Sequence, residues 1–179
     1  MNTKINEIKK IMENIKYGFK DDNGKNIIDE DSNKWENDFN NFYHLQSPEE
    51  LIISRCGVCF DQVELERKLF EERKIDIKTY FIFIEDKDKL PSHTFLTFEI
   101  DKKYYWFEHS WKKFKGIYEY SSEIELLRNV KNHFTQEYNP TNDNINIYIY
   151  EYNKPKFHIT CDEFYKYIET QKLIKIDKK

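Results

Sequence analysis

The stretch of residues 93–111, HTFLTFEIDKKYYWFEHSW, decides the fold that this sequence predicts. Its two halves, 93–100 and 103–109, are rich in aromatic and β-branched residues, which is typical of β-strands. Between them, Asp101-Lys102 has the length of a two-residue turn. The stretch therefore predicts an antiparallel hairpin.

The length of that turn determines which side chains share a face of the hairpin. With a two-residue turn, side-chain alternation places His93 and Glu108 on one face and sends His109 to the other. A three-residue turn would reverse this and align His109 with His93. The register is therefore a test of whether His93 can meet the carboxylate of Glu108.

Capping patterns predict helices before and after the hairpin. Ser47 with Glu50, and Thr160 with Glu163, have the spacing of capping boxes, which are typical of helix N-termini. The sequence predicts helices at 4–17, 48–55, 59–73, from Ser122 and from Thr160, further strands at 17–20, 25–28, 79–85 and 145–152, and a loop at 135–144. This order indicates an α+β fold with N-terminal helices packed on an antiparallel sheet, in one domain over residues 1–179.

The run 64–74, ELERKLFEERK, lies within the predicted helix 59–73. It carries opposite charges at helical spacing, a pattern that predicts a solvated helix face. Val63, Leu69 and Phe70 are expected to face the core instead.

Composition and charge exclude several classes of partner. The chain has 179 residues and a net charge of -4, from 29 basic and 33 acidic residues that are spread along it. Without a basic face, we expect no nucleic-acid partner. Without about 18 consecutive apolar residues, we expect no membrane partner and a cytoplasmic location. The three cysteines are then expected to stay reduced. The sequence leaves the oligomeric state open.

Two of the cysteines lie three residues apart in RCGVCF, residues 55–60. This spacing is compatible with a redox pair, with half of a zinc site, or with a nucleophile beside a second thiol. A redox pair would follow a strand, whereas this pair follows a predicted helix. A zinc site would need ligands from far along the chain, and the candidate set is Cys56, Cys59, His158 and Cys161.

The nucleophile interpretation accounts for more of the surrounding residues. A thiol in the first turn of a helix is favoured as a thiolate by the helix dipole, and Cys59 has that position whereas Cys56 does not. A nucleophilic thiol also needs a histidine, and the histidine needs a group that orients it. The predicted hairpin offers His93 and Glu108 for these two roles.

These residues carry a resemblance to the transglutaminase-like superfamily, whose members are papain-like thiol enzymes. The resemblance covers roughly residues 46–112. The first motif element is a Gly-x-Cys at a helix start, here Gly57 and Cys59, and the second is a strand that opens with a histidine, here His93. The third is a turn with an aromatic residue, here Lys102 to Trp106. The fourth is an acidic residue followed by Ser and Trp, here Glu108, Ser110 and Trp111. The chain departs from the family in having glutamate at 108 where aspartate is usual.

The resemblance implies a papain-like fold and thiol-based acyl chemistry, as in a cysteine protease, another hydrolase or an acyltransferase. Cys59, His93 and Glu108 would form the catalytic triad, acting on a peptide or protein amide through a thioester, with no cofactor and with water or an amine as acceptor. Candidate oxyanion donors besides the Cys59 N–H are Gln46, Tyr43 and Trp35, and Trp106 and Trp111 are candidates for a substrate groove or for packing. The alternatives are an inactive relative that binds a peptide or protein, and a structural zinc protein.

Overall fold

The computed structural model describes residues 3–21, 23–28, 33–85, 91–138 and 146–176, and they form an α+β fold. The helices are α1 (Thr3–Met12), α2 (Asn33–Phe42), α3 (Pro48–Ser54), α4 (Cys59–Glu72), α5 (Glu123–Tyr138) and α6 (Cys161–Glu169). The strands are β1 (Phe19–Lys20), β2 (Asn26–Ile27), β3 (Ile77–Glu85), β4 (Ser92–Ile100), β5 (Lys103–Glu108), β6 (Gly116–Tyr120), β7 (Asn146–Tyr152) and β8 (Lys172–Leu173).

Within the described residues, β3 to β8 form one sheet in the order β6-β5-β4-β3-β7-β8. Each pair of neighbours in this sheet is antiparallel. In the β4–β5 hairpin, Ile100 pairs with Lys103, so Asp101 and Lys102 form the two-residue turn that the sequence predicts. Both turn residues are left-handed, with φ of 52° and 62°, as the type I′ turn requires.

The two faces of the sheet pack against different helices. On one face, Phe81, Leu96 and Phe107 belong to the core that includes residues of α1, α3 and α4. On the other face, Trp106 belongs to a second core with Leu126 and other residues of α5. The hairpin that carries His93 and Glu108 therefore lies between two layers of helix.

The prediction that residues 64–74 form a solvated face is wrong for the first half of the run. Glu64, Glu66 and Arg67 are at most 7% exposed, because α4 is enclosed by the sheet and by helices α1 and α3. Arg67 Nε donates to Glu64 Oε2 at 2.9 Å, so two of these buried charges pair with each other. Within α4, solvent reaches Lys68 and the two glutamates at the end of the helix, Glu71 and Glu72.

The predicted elements differ from the structure mainly in their ends and in three omissions. Helix α1 ends at Met12 rather than at residue 17, and α5 continues to Tyr138 through the start of the segment predicted as a loop; the rest of that segment lies outside the described residues. Helix α2 and strands β6 and β8 are not predicted. Both predicted capping boxes are present, at Ser47 and at Thr160. No described helix has the length and apolar character needed to cross a membrane.

Candidate active site

The backbone before Cys59 is shaped by Arg55 and Gly57. Arg55 ends α3 in the left-handed region, with φ of 52°. A Cβ on Gly57 would lie 2.6 Å from Cδ1 of Leu51 and 2.8 Å from Cβ of Asp61, which is closer than packed carbon atoms approach. Only glycine fits at this position, so the chain turns tightly there and begins α4 at Cys59.

Asp61 ties the start of α4 to the segment that precedes α3. Its Oδ2 accepts from the Val58 N–H at 2.9 Å, and its Oδ1 accepts from the Gln46 N–H at 2.8 Å and from the Tyr43 hydroxyl at 3.1 Å. Burial raises the pKa of Asp61 to about 7, although these hydrogen bonds oppose the shift. The carboxyl group therefore holds the backbone at Val58, directly before Cys59, and at Gln46, before α3.

His93 and Glu108 meet at the end of the hairpin. The distance from His93 Nε2 to Glu108 Oε2 is 2.7 Å, and the two residues are only 7% and 4% exposed. The second oxygen, Oε1, accepts from the Trp111 N–H at 2.7 Å and from the Ser110 hydroxyl at 3.2 Å. Glutamate at this position therefore reaches the imidazole, and both of its oxygens are held.

The electrostatics of His93 connect it to Cys59 as well. Burial acts to lower the pKa of His93, but the charge of Glu108 and hydrogen bonds to Cys59 and Glu108 outweigh it and raise the pKa to about 10. A histidine so placed is favoured as an imidazolium, and an imidazolium favours a negatively charged neighbour. The structure thus brings together Cys59, His93 and Glu108, the three residues that the sequence predicts for the triad.

A family model described as a transglutaminase-like domain matches residues 1–138. This chain belongs to the transglutaminase-like family. No curated protein matches it. The matched residues include the loop and helix that carry Cys59 and the whole β4–β5 hairpin.

A cleft of about 530 Å³ opens beside His93 in this transglutaminase-like domain. Tyr17, Trp111 and Tyr138 line it together with charged side chains from the segment after β5 and from the end of α5. The Trp111 ring lies 5.1 Å from the His93 ring, centroid to centroid. The cleft therefore leads from solvent to the imidazole.

The two tryptophans proposed for a groove have different surroundings. Trp111 is half-buried and lines the cleft. Trp106 is 0% exposed and packs among Phe95, Tyr118 and α5. Because no part of Trp106 reaches the surface, its role is core packing, which is one of the two roles that the sequence predicts for it, and it does not line the cleft.

The three candidate oxyanion donors have other contacts in this structure. The Gln46 amide donates to the Cys56 carbonyl at 2.9 Å, which occupies one of its two hydrogens. The hydroxyl proton of Tyr43 goes to Asp61. Trp35 is half-buried, and its ring stacks on Tyr17 with centroids 6.0 Å apart.

The proposed zinc ligands do not form a cluster. Among the described residues, no group of three or more His, Cys, Asp or Glu side chains could hold a metal ion. His158 instead contacts the Glu50 carboxylate at 2.9 Å. Cys56 is buried, and its thiol faces the Phe19 carbonyl at 3.9 Å.

Several residues around the site were not found from the sequence. His109 Nδ1 lies 2.7 Å from Gln62 Oε1, and the Gln62 amide donates to the Gly57 carbonyl at 2.8 Å, which links the hairpin to the loop before Cys59. An acidic residue at the third helical position is a known N-terminal signal and could have identified Asp61. The sequence carries no comparable signal for Gln62, because its contact with His109 depends on how α4 packs against the hairpin.

Proposed function

We propose that this transglutaminase-like domain is a cysteine-dependent enzyme that hydrolyses amides or transfers their acyl groups. The observation that carries the proposal is the distance of 2.7 Å between His93 Nε2 and Glu108 Oε2, and the interaction of His93 with Cys59, which helps to raise the pKa of the imidazole, supports it. Nucleophile, base and orienting carboxylate in this arrangement are the parts that thiol catalysis requires.

The geometry suggests how the proton moves. Because Nε2 faces Glu108, Nδ1 is the ring nitrogen left for the thiol. In the resting pair His93 holds the proton as an imidazolium, and the thiolate Sγ of Cys59 attacks the carbonyl carbon of the amide. When the tetrahedral intermediate collapses, the C–N bond breaks, and His93 gives the proton to the leaving amine. A thioester remains on Cys59.

The second half of the reaction restores the thiol. Water or a primary amine attacks the thioester carbonyl and gives its proton to His93. The C–S bond then breaks, and the sulfur leaves as a thiolate beside the imidazolium. Hydrolase and transglutaminase activities differ only in which acceptor reaches the thioester from the cleft.

The N-terminus of α4 would stabilise the negatively charged oxygen of each tetrahedral intermediate. The first N–H groups of a helix have no partner within the helix, and they lie at the positive end of its dipole. The N–H of Cys59 is one of these groups. We propose it as the main oxyanion donor.

The test is the rate of alkylation by iodoacetamide at each cysteine, followed by mass spectrometry between pH 5 and 9. We expect Cys59 to react well below about pH 8, where an ordinary thiol is mostly protonated. Cys56 and Cys161 are internal controls, since burial raises their pKa values to about 11 and about 12. His93→Ala should slow the reaction of Cys59 about tenfold or more near neutral pH, with a smaller loss in Glu108→Gln.

If Cys59 in the wild-type protein is as unreactive as Cys56, the enzyme proposal fails, and the alternative of an inactive binding domain is favoured. If Cys59 reacts as expected, the acceptor can be identified with a glutamine-containing protein and a fluorescent primary amine. Incorporation of the amine indicates a transglutaminase, whereas release of ammonia without incorporation indicates a hydrolase.

A further inference from the structure

A buried polar connection joins the loop before Cys59 to the β4–β5 hairpin. The side-chain amide of Gln62 donates to the Gly57 carbonyl at 2.8 Å, and Gln62 Oε1 lies 2.7 Å from His109 Nδ1. Gly57 is two residues before Cys59, and His109 directly follows Glu108. The connection therefore ends next to the proposed nucleophile on one side and next to the proposed orienting carboxylate on the other.

The chemistry of the three groups fixes which atom donates and which accepts. A carbonyl oxygen only accepts, so the amide nitrogen of Gln62 faces Gly57 and its Oε1 faces His109. Burial and the charge of Lys115 lower the pKa of His109 to about 4, so the imidazole is neutral near neutral pH. Its hydrogen is then on Nδ1, which donates to Gln62 Oε1.

The connection has a directional character that the surrounding packing lacks. Gln62 and His109 are 1% and 6% exposed, and a hydrogen bond in such an enclosed place has a narrow range of lengths and angles. Further along α4, Phe70 packs on Phe107 with ring centroids 5.4 Å apart, and the attraction between apolar groups is non-directional. The polar connection is therefore better suited to hold α4 and the hairpin in one relative position.

That relative position matters for the proposed chemistry. Cys59 is on α4, whereas His93 and Glu108 are both on the hairpin and are joined by their own contact at 2.7 Å. A movement of α4 against the hairpin would leave the second pair intact and change the separation of the thiol and the imidazole. A displacement of about 1 Å between reacting groups can slow a reaction about a hundredfold.

We propose that Gln62 and His109 are positioning residues that set the distance between the Cys59 thiol and the His93 imidazole. They act through these two residues, and neither of them lines the cleft. The inference rests on the proposed function, because it assigns its role to the same thiol and imidazole.

A matched pair of substitutions at His109 tests the hydrogen bond separately from the ring. Asparagine has an amide N–H near the place of Nδ1 and can still donate to Gln62, whereas leucine has nearly the same shape and no donor. We expect the alkylation rate of Cys59 near neutral pH to fall about tenfold in His109→Leu, with its pH profile moved to higher pH, and to change less than about twofold in His109→Asn. A wild-type rate in His109→Leu, or equal losses in both variants, would overturn the proposal.

Thr79→Val is the control for a general loss of stability. The Thr79 hydroxyl donates to the Tyr152 carbonyl at 2.7 Å, so the substitution removes a buried hydrogen bond elsewhere in the sheet. We expect it to lower the melting temperature of the full chain without moving the pH profile of Cys59. If the profile moves as far as in His109→Leu, the profile reports lost stability rather than position, and the proposal is wrong.

Crystal structures provide the second measurement and a readout that is independent of reactivity. Gln62→Met keeps the length of the side chain and removes both hydrogen bonds, so it replaces His109→Leu if that variant does not fold. We expect a longer distance from Cys59 Sγ to the His93 ring in the variant than in the wild type, and an unchanged distance refutes the positioning role. If wild-type Cys59 is as unreactive as Cys56, the proposed function fails, and the two structures still decide whether Gln62 and His109 set this distance.

Discussion

Two glutamates on α4, two positions apart, are both buried but differ in their surroundings. Glu64 pairs with the guanidinium of Arg67 and is 1% exposed. Glu66 is 2% exposed and has no cationic side chain bonded to it in the described regions. Burial raises the pKa of both carboxyl groups, but at Glu64 the charge and hydrogen bond of Arg67 oppose the shift, whereas at Glu66 the charge of Glu108 adds to it.

We expect Glu66→Gln to raise the free energy of unfolding at neutral pH. Burial raises the pKa of Glu66 in the folded state. Below about pH 4, Glu66 is protonated in both the folded and the unfolded chain, and its ionisation does not affect stability. At higher pH only the unfolded chain releases the proton, so the wild type loses about 1.4 kcal/mol of stability per pH unit. Glutamine has no such loss. Chemical denaturation at pH 4, 6 and 8 should show a gap between variant and wild type that widens with pH.

Glu64→Gln is the control on the same helix. It leaves the buried Arg67 without its carboxylate and should lower the free energy of unfolding, by roughly 3 kcal/mol. If Glu66→Gln is instead destabilising at pH 8 to the same degree as Glu64→Gln, then Glu66 is ionised and paired in solution, contrary to its surroundings here.

At the residue level, a family motif and a strand register are enough to predict Cys59, His93 and Glu108 as site residues, and the predicted meeting of His93 with Glu108 is present in the structure. The sequence does not identify Glu66, which lies in a charged run that ordinarily faces solvent. Its burial depends on the helices packed around α4, and those contacts are not local in sequence.

The turn between β4 and β5 decides whether the imidazole and its carboxylate share a face. Lys102 adopts φ of 62° there, a conformation that costs a residue with a side chain about 1–2 kcal/mol. The hairpin thus keeps its register despite a strained residue.

We expect the double substitution Asp101→Asn with Lys102→Gly to raise the melting temperature, because Asn-Gly is the preferred pair for this turn. The gain should be up to about 1 kcal/mol, since glycine also adds freedom to the unfolded chain. Alkylation of Cys59 should be unchanged. Lys103→Gly, one position further on and in extended backbone, is the control and should be destabilising; equal effects from both variants would contradict the type I′ geometry.

Elements with strong local signals were predictable, and those without them were not. Ser47 and Thr160 each supply a capping box, and the hairpin has β-branched and aromatic runs on both sides of its turn. Helix α2, with the sequence NKWENDFNNF, is rich in asparagine, which is a poor helix former. Strand β6, GIYEY, is short, and it forms where its backbone can pair with β5.

The sheet extends beyond the residues that match the transglutaminase-like family. Strand β7 pairs with β3 along seven residue pairs, from Thr79–Tyr152 to Glu85–Asn146. Helix α6 buries Phe164 and Ile168 in the same core as Cys59. Residues after the matched region 1–138 are therefore part of the structure that supports the site.

We expect a chain truncated after Tyr138 to lose its cooperative unfolding transition. Without β7, strand β3 becomes an exposed edge, and without α6 the aromatic ring of Phe60 loses its stacked partner Phe164, whose centroid is 4.6 Å away. Thermal denaturation followed by near-ultraviolet circular dichroism measures this directly. A truncated chain that melts cooperatively near the temperature of the full chain would show that residues 1–138 are a complete domain.

The order of the three site residues along the chain matters while the protein is being made. Synthesis runs from the N-terminus, so Cys59 leaves the ribosome first, His93 follows, and Glu108 comes 15 residues after His93. Until β4 and β5 have emerged and paired beside α4, the thiol has neither the proposed base nor the proposed carboxylate beside it. In the proposed mechanism, a nascent chain therefore carries a cysteine that is activated only when the hairpin folds.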